Sequence, residues 1–456
     1  MLDELPLILD RDSPDPLAAQ IADQLRHAAT TGALRSGDRL PATRALSIQL
    51  GVSRTVVVAA YDQLHAEGWI SGKRGSGTYL TTAPATPPVH TAAFSAAAAD
   101  PRLYDLTPGA PCTQAIDPAA WRRAWRAAAD PAPLVRKNHA GEPEFRTVVM
   151  EHLLRHRGIT MSAGSVLLAT GGTSSAVAEL AAAVLHPGAT VAIEDPGYQR
   201  AASAFEAAGI EVVPVPVDAH GLRTDLLPPG IDAVYCTPAH QFPLGARMPA
   251  VRRVELIEHA RRSGIVVIED DYDGELRYST APLPLLATMA PDVVIHLGTT
   301  SKILSPSLGV GWLLAAPEIA EAVLTHRQRT GTSPSPAGQR VLVAFAVHGD
   351  LARHLRRLRR TLPSRRALAV SELRRRGLDV RGDDAGSHIV VPVDSAETER
   401  HALAAGQERG VALDGLARHY RRPEREHFGI ALGYTALPWS DLVTAVPLAA
   451  ESLSGP

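Results

Sequence analysis

The chain has 456 residues, which is too long for one ordinary core and favours two or three folding units. A hydrophobic fraction of 45% with 21% charged residues excludes a disordered or fibrous class, and no apolar run reaches the length of a bilayer-spanning helix. A net charge of -2 excludes a general nucleic-acid coat, and two cysteines, Cys112 and Cys236, are too few for a disulfide framework.

The acidic start, MLDELPLILDRDSPD, is unlike a basic signal peptide, so a cytoplasmic location is expected. Asp15 and Pro16 suit the cap and first position of a helix in which Leu17, Ile21 and Leu25 recur until Gly32. A second short helix is predicted around Ala42 to Leu50, stopped by Gly51, and a third from Ser53. On the third, Val57, Ala60, Tyr61 and Leu64 share one face while Arg54, Thr55, Val58 and Asp62 share the other. Trp69 to Leu80 then reads as a hairpin whose tip, Lys73-Arg74-Gly75-Ser76-Gly77, is basic and glycine-rich, as a backbone lying against phosphates requires. Arg35, Arg39, Arg44, Arg54, Lys73 and Arg74 outnumber the acids between the first helix and the hairpin, so the basic face is local.

The run Leu40-Pro41-Ala42-Thr43-Arg44, Leu50-Gly51-Val52-Ser53-Arg54-Thr55 and Gly75-Ser76-Gly77-Thr78-Tyr79 resembles the winged helix-turn-helix of the GntR family. The resemblance implies an operator in double-stranded DNA, contacted by Arg44, Ser53, Arg54 and Thr55, with the wing residues Lys73, Arg74 and Gly75 reaching the minor groove. A DNA-binding domain over 1–82 and an alanine- and proline-rich linker over 83–103 are expected, followed by an effector domain over 104–456.

Beyond the linker, apolar runs alternate with helical patterns: Val166 to Ala169, Val191 to Glu194, Val212 to Val217, Ala233 to Cys236, Ile265 to Glu269, Val293 to Leu297 and Val310 to Leu314. The alternation predicts an α/β domain with a parallel sheet covered on both faces, whose ligands gather at the carboxyl ends of the strands. Those ends carry the unusual residues. One runs into Thr170-Gly171-Gly172-Thr173-Ser174-Ser175 and a helix start, which suits a phosphate. Others carry Tyr198 and Arg200, then His240 in a proline-rich loop, then Glu269-Asp270-Asp271-Tyr272-Asp273, whose acids need a cation if buried. The last gives Thr299-Thr300-Ser301-Lys302, in a chain with only two further lysines, Lys73 and Lys137. No cluster at ligand spacing points to a metal.

An anion cradle, a lysine and a carboxylate are what pyridoxal 5'-phosphate requires for its phosphate, aldehyde and pyridine nitrogen. The segment from Tyr104 onward resembles a fold-type I aminotransferase, a mostly parallel sheet with a smaller α+β subdomain. The two halves together resemble the MocR-type subfamily of GntR regulators. The resemblance makes Lys302 the Schiff-base lysine and Asp270 the partner of the pyridine nitrogen, with Asp271 as the alternative. It places Tyr272 on the phenolic oxygen, Tyr198 on the ring, His240 beside the cofactor, and Gly172, Thr173, Ser174, Thr299 and Ser301 on the phosphate. Arg200 and Arg418 would take the carboxylate of a small amine or amino-acid effector. A homodimer through this domain is implied, in which the segment holding Arg136 and Lys137 approaches the partner's phosphate.

The chain also departs from the pattern. Gly309 stands where an arginine commonly follows the lysine by seven residues, and Ser174 and Ser175 replace the usual glutamines. The expected function is a regulator sensing an amine, an amino acid or pyridoxal phosphate itself. The alternative is a working aminotransferase with an accessory DNA-binding domain, which steady transamination would reveal.

Overall fold

The computed structural model describes residues 7–73, 77–81, 103–159, 164–278, 283–382 and 384–454. Internal contacts divide the chain into two compact units, Met1–Ala97 and Ala98–Pro456.

The first unit packs α1 (Leu17–Thr30), α2 (Thr43–Leu50) and α3 (Arg54–Ala66) with a small antiparallel sheet of β1 (Arg39–Leu40), β2 (Ile70–Lys73) and β3 (Gly77–Leu80). Ile21, Leu25, Leu46, Val57, Tyr61, Leu64, Ile70 and Leu80 form its core, so the helical face read from the sequence is the buried one. Gly51 ends α2 in the left-handed region at φ 60°, which a residue with a Cβ enters only at a cost. The Tyr61 hydroxyl donates to the Pro41 carbonyl at 2.9 Å and fixes the entry to α2 against α3. The expected cap differs: α1 begins at Leu17 after Pro16, and no side chain caps it, so Asp15 is not the N-cap.

The second unit opens with β4 (Tyr104–Asp105), α4 (Pro118–Ala129) and α5 (Pro143–Arg157). Its central sheet comprises β5 (Val166–Thr170), β6 (Thr190–Asp195), β7 (Glu211–Asp218), β8 (Gly221–Leu222), β9 (Ala233–Cys236), β10 (Val266–Asp271), β11 (Val294–Thr299) and β12 (Gly311–Ala315). The strand order is β5-β12-β11-β10-β9-β6-β7-β8. Helices α6 (Thr173–Ala183), α7 (Gln199–Ala207), α8 (Ala250–Ser263), α9 (Leu286–Met289), α10 (Pro317–Thr330) and α11 (Pro336–Val347) accompany the sheet. Two separate cores, one on each face, account for its near-continuous burial.

The parallel expectation holds for β6, β7, β9, β10 and β11, but β12 runs antiparallel to both β11 and β5. The reason is the connection. A parallel return needs a crossover of a dozen residues or more, about the length of a helix, and β11 is joined to β12 by a turn with only a short 3-10 stretch, Pro306–Leu308.

A long helix, α12 (Asp350–Arg375), leads to a smaller subdomain of β13 (His388–Val393), α13 (Ala396–Glu408), β14 (Val411–Ala412), β15 (Asp414–Gly415), β16 (Phe428–Gly433) and α14 (Trp439–Leu453). Strands β13, β16 and β15 form an antiparallel sheet over a third core, while β14 pairs with β4. Among the described residues no helix is long and apolar enough to cross a membrane.

Candidate functional site

The carboxyl ends of β5, β6, β10 and β11 converge at one rim of the second unit. At β5, Thr170 Oγ1 accepts from the Gly172 amide at 3.2 Å, and Gly172 precedes α6 at φ 107°. That conformation turns the chain sharply enough to present the first amides of α6, an anion-binding arrangement. A Cβ on Gly172 would meet Thr299 Oγ1 at 3.6 Å, so the ends of β5 and β11 share this corner. There the Thr299 hydroxyl donates to Ser301 Oγ at 3.0 Å and accepts from the Ser301 amide at 3.2 Å. Ser174 meets the Tyr198 hydroxyl at 2.9 Å, which brings the turn to the tyrosine after β6. Thr173 is half-buried at the start of α6.

Lys302 follows β11, and its Nζ donates to the Gly109 carbonyl at 2.5 Å. Gly109 sits at φ 105°, and a Cβ there would come within 3.0 Å of Nζ. Burial lowers the Lys302 pKa, helped by the charge of Arg200, while Asp273 and Asp270 pull it back up. Desolvation and a neighbouring cation suit an amine to nucleophilic chemistry, which the two carboxylates oppose.

The two aspartates left open by the sequence lie in different surroundings, because successive strand residues face opposite sides of a sheet. Asp271 pairs with Arg157 from the end of α5 at 2.7 Å, and Arg157 also donates to the Gly274 carbonyl at 2.7 Å. This buried arginine is the cation that the acidic run needed. Asp270 Oδ2 accepts from the Tyr235 hydroxyl at 2.5 Å, whereas Asp270 Oδ1 is buried without a hydrogen-bond partner. Burial pushes the Asp270 carboxyl up to about 7, against the Tyr235 hydrogen bond that lowers it.

Tyr272 donates to the His240 carbonyl at 3.0 Å, and His240 Nδ1 lies 2.9 Å from Asp273 Oδ2. Its other ring nitrogen, Nε2, is buried without a partner. Phe242, which the sequence reading passed over, meets Tyr198, Tyr272, His388 and His419 edge-on at centroid distances of 6.1, 6.0, 5.5 and 5.0 Å. Tyr235, Arg157 and Gly109 were missed as well, and Asp273 was read only as part of the acidic run. The one signal available was an arginine closing a helix, at Arg157.

The two candidate effector arginines differ. Arg200 is exposed in the first turn of α7 and close enough to Lys302 to influence it electrostatically. Arg418 has a side chain 66% exposed and is paired with Asp414 at 3.1 Å. Its loop is tied to the rim: the Gly197 amide donates to the His419 carbonyl at 3.0 Å, and Asp195 accepts from the Arg421 amide at 2.7 Å and from Arg422 Nε at 2.9 Å. Gly309 adopts φ 56° and lines a cleft of about 470 Å³ with Gly171, Ser175 and Ser335. Lys137 donates to the Gly331 carbonyl of its own chain.

In the first unit, Arg44, Ser53, Arg54 and Thr55 are all exposed on α2, on α3 or at the cap of α3, and Arg54 Nε reaches Thr43 Oγ1 at 3.4 Å. Lys73 closes β2; Arg74 and Gly75 lie outside the described residues.

Residues 17–80 match the bacterial regulatory proteins of the gntR family, and residues 103–415 match aminotransferase class I and II. The chain is 34% identical over 442 residues to the HTH-type pyridoxine biosynthesis transcriptional regulator PdxR of Corynebacterium glutamicum, covering 95% of each. It is 31% identical to the probable rhizopine catabolism regulatory protein MocR of Rhizobium meliloti, covering 94% of this chain and 92% of that one. The second unit shares its fold with the kynurenine aminotransferase of Pyrococcus horikoshii, solved with PMP (TM-score 0.69, 24% identity, 77% of this chain and 91% of that one). It shares it also with LysN of Thermus thermophilus, solved with N-(5'-phosphopyridoxyl)-L-leucine (TM-score 0.68, 22% identity, 77% and 92%). The chain belongs to the MocR-type family of helix-turn-helix transcriptional regulators, which join a GntR domain to an aminotransferase class I and II domain.

Proposed function

We propose that this regulator holds pyridoxal 5'-phosphate on Lys302 and reports the state of that site to an operator bound by its N-terminal unit. The observation that carries the reading is the pairing of a desolvated lysine with a buried carboxylate oxygen that has no partner, Asp270 Oδ1. A buried polar atom left unpaired is costly, and a pyridine N–H would satisfy it. The residues present therefore fit the cofactor. When bound, it supplies an aldehyde that condenses with amines and a ring that withdraws electrons.

Each residue then has a task of its own. The amides at the start of α6, with Thr173, Ser174, Thr299 and Ser301, hold the phosphate. Asp270 keeps the pyridine nitrogen protonated, and Tyr198 packs on the ring. Tyr272 and His240 line the phenolic side, with Asp273 holding His240. Arg200 takes the carboxylate of an incoming amino acid, with Arg418, exposed and paired with Asp414, as the second candidate. With Gly309 in place of an arginine, the phosphate lacks a cation from its own turn; Arg136 of a second copy would supply one if the chain dimerises through this unit.

Sensing is favoured over turnover because turnover consumes the signal, while binding shifts an equilibrium between two conformations. The second reading within sensing, that pyridoxal phosphate is itself the signal, draws support from the relative named as a regulator of pyridoxine biosynthesis. Borohydride reduction of the cofactor-treated protein tests the site. A reduced adduct on Lys302, lost in Lys302→Ala, is expected; an adduct on Lys73 or Lys137 refutes the assignment. Titrating operator DNA with and without pyridoxal phosphate, then with candidate amines, identifies the signal.

A further inference from the structure

Tyr235 stands in β9, paired with Ile193 of β6 on one side and Ile268 of β10 on the other. It is completely buried, and its ring meets Phe205 of α7 edge-on at 6.2 Å. Packing alone asks only for an aromatic ring at this position, and a phenylalanine would fill it. The hydroxyl is an added expense, since a buried O–H must find an acceptor. It finds Asp270 Oδ2 at 2.5 Å, two residues along β10 from its cross-strand neighbour. That bond occupies one carboxylate oxygen and leaves Oδ1 unpartnered.

We propose that Tyr235 is a positioning residue for the cofactor site: its hydroxyl holds Asp270 so that Oδ1 alone accepts the pyridine N–H, and it favours the charged form of that carboxylate. The proposal rests on the cofactor reading above. A hydrogen bond donated to a carboxylate favours its charged form, and here it works against burial and the neighbouring charge of Asp271, both of which favour the neutral acid. Tyr235 does not compete for the proton, because burial and the Asp270 charge push its own ionisation far up. Through Phe205 the same ring also packs against α7, whose first turn carries Arg200.

The test uses the full chain as wild type, Tyr235→Phe, Asp270→Asn and the double variant. Two readouts are taken: the dissociation constant of pyridoxal phosphate, and the NMR shift of its 15N-labelled pyridine nitrogen when bound. A carboxylate without the phenol is less readily charged and less well aimed, so Tyr235→Phe should weaken binding by about tenfold and move the nitrogen shift toward its unprotonated value. In the Asp270→Asn background the same change should alter affinity less than about twofold, because the phenol acts through the carboxylate. Affinity and nitrogen shift both equal to wild type in Tyr235→Phe overturn the proposal. So does an equal loss in both backgrounds, which would make Tyr235 a packing residue. Wild-type protein that takes up no pyridoxal phosphate overturns the cofactor reading itself, and the proposal with it.

Discussion

Glu194 is a buried acid in a different position from Asp270. Burial pushes it up to about 7, although the Thr237 amide and hydroxyl and the Gln241 side chain all donate to it. Its folded pKa thus lies above the usual unfolded value near 4.3, so the folded state binds the proton more tightly. The stability it contributes is complete below about pH 4.3 and lost as pH rises through about 7. Between pH 5 and 8, the melting midpoint of cofactor-free wild type should therefore fall more than that of Glu194→Gln; parallel curves would contradict the assignment. Legibility at this scale was uneven. Lys302 stood out because lysine is so rare in the chain, and its strand-end position suggested amine chemistry. Asp270 and Asp271 were indistinguishable, since choosing between them needs the phase of β10, which only Arg157 on one face and Tyr235 on the other reveal. Tyr235 gave no sign, because a lone aromatic in a buried strand is ordinary core. At Gly309 the φ of 56° adds a fact the sequence withheld: an arginine there would sit in the left-handed region, at a cost of about 1–2 kcal/mol.

Helix α3 exposes Arg54 and Thr55 in its first turn and buries Val57, Ala60, Tyr61 and Leu64 behind them. Such a helix presents its N-terminal residues to the major groove when the opposite face is held rigidly. Arg54→Ala should weaken operator binding by about 1–3 kcal/mol, roughly 5- to 150-fold, with an unchanged melting curve, as read by fluorescence anisotropy. An unchanged affinity would move the groove contact elsewhere. The elements of both units were largely legible, because periodicities of 3.6 and 2 follow directly from burial of one face or two. The direction of β12 was not, since an apolar strand reads the same either way and only the short link from β11 decides it. Asp15 was assigned as a cap on residue type alone, and the helix began one step later.

At the scale of the whole chain, the DNA reader and the proposed cofactor site lie in separate compact units, so any communication between them is a coupling free energy and must be reciprocal. If pyridoxal phosphate changes operator affinity by some factor, saturating operator DNA must change pyridoxal phosphate affinity by that same factor, and calorimetric titration in both orders checks it. Unequal factors would mean that the two ligands act on different populations of the protein. The sheet order also fixes a sequence of events during synthesis. Thr170 pairs with Gly311, so the turn that would cradle the phosphate has no neighbour on its inner side until β12 has been made. At roughly 5–20 residues per second, a ribosome needs on the order of ten seconds or more to travel from β5 to β12. The reader, with its own core near the start of the chain, leaves the ribosome well before that. If the second unit takes up the proposed cofactor, each newly made molecule passes through an interval in which the reader is complete and that site is not, and the earliest state presented to an operator is the empty one.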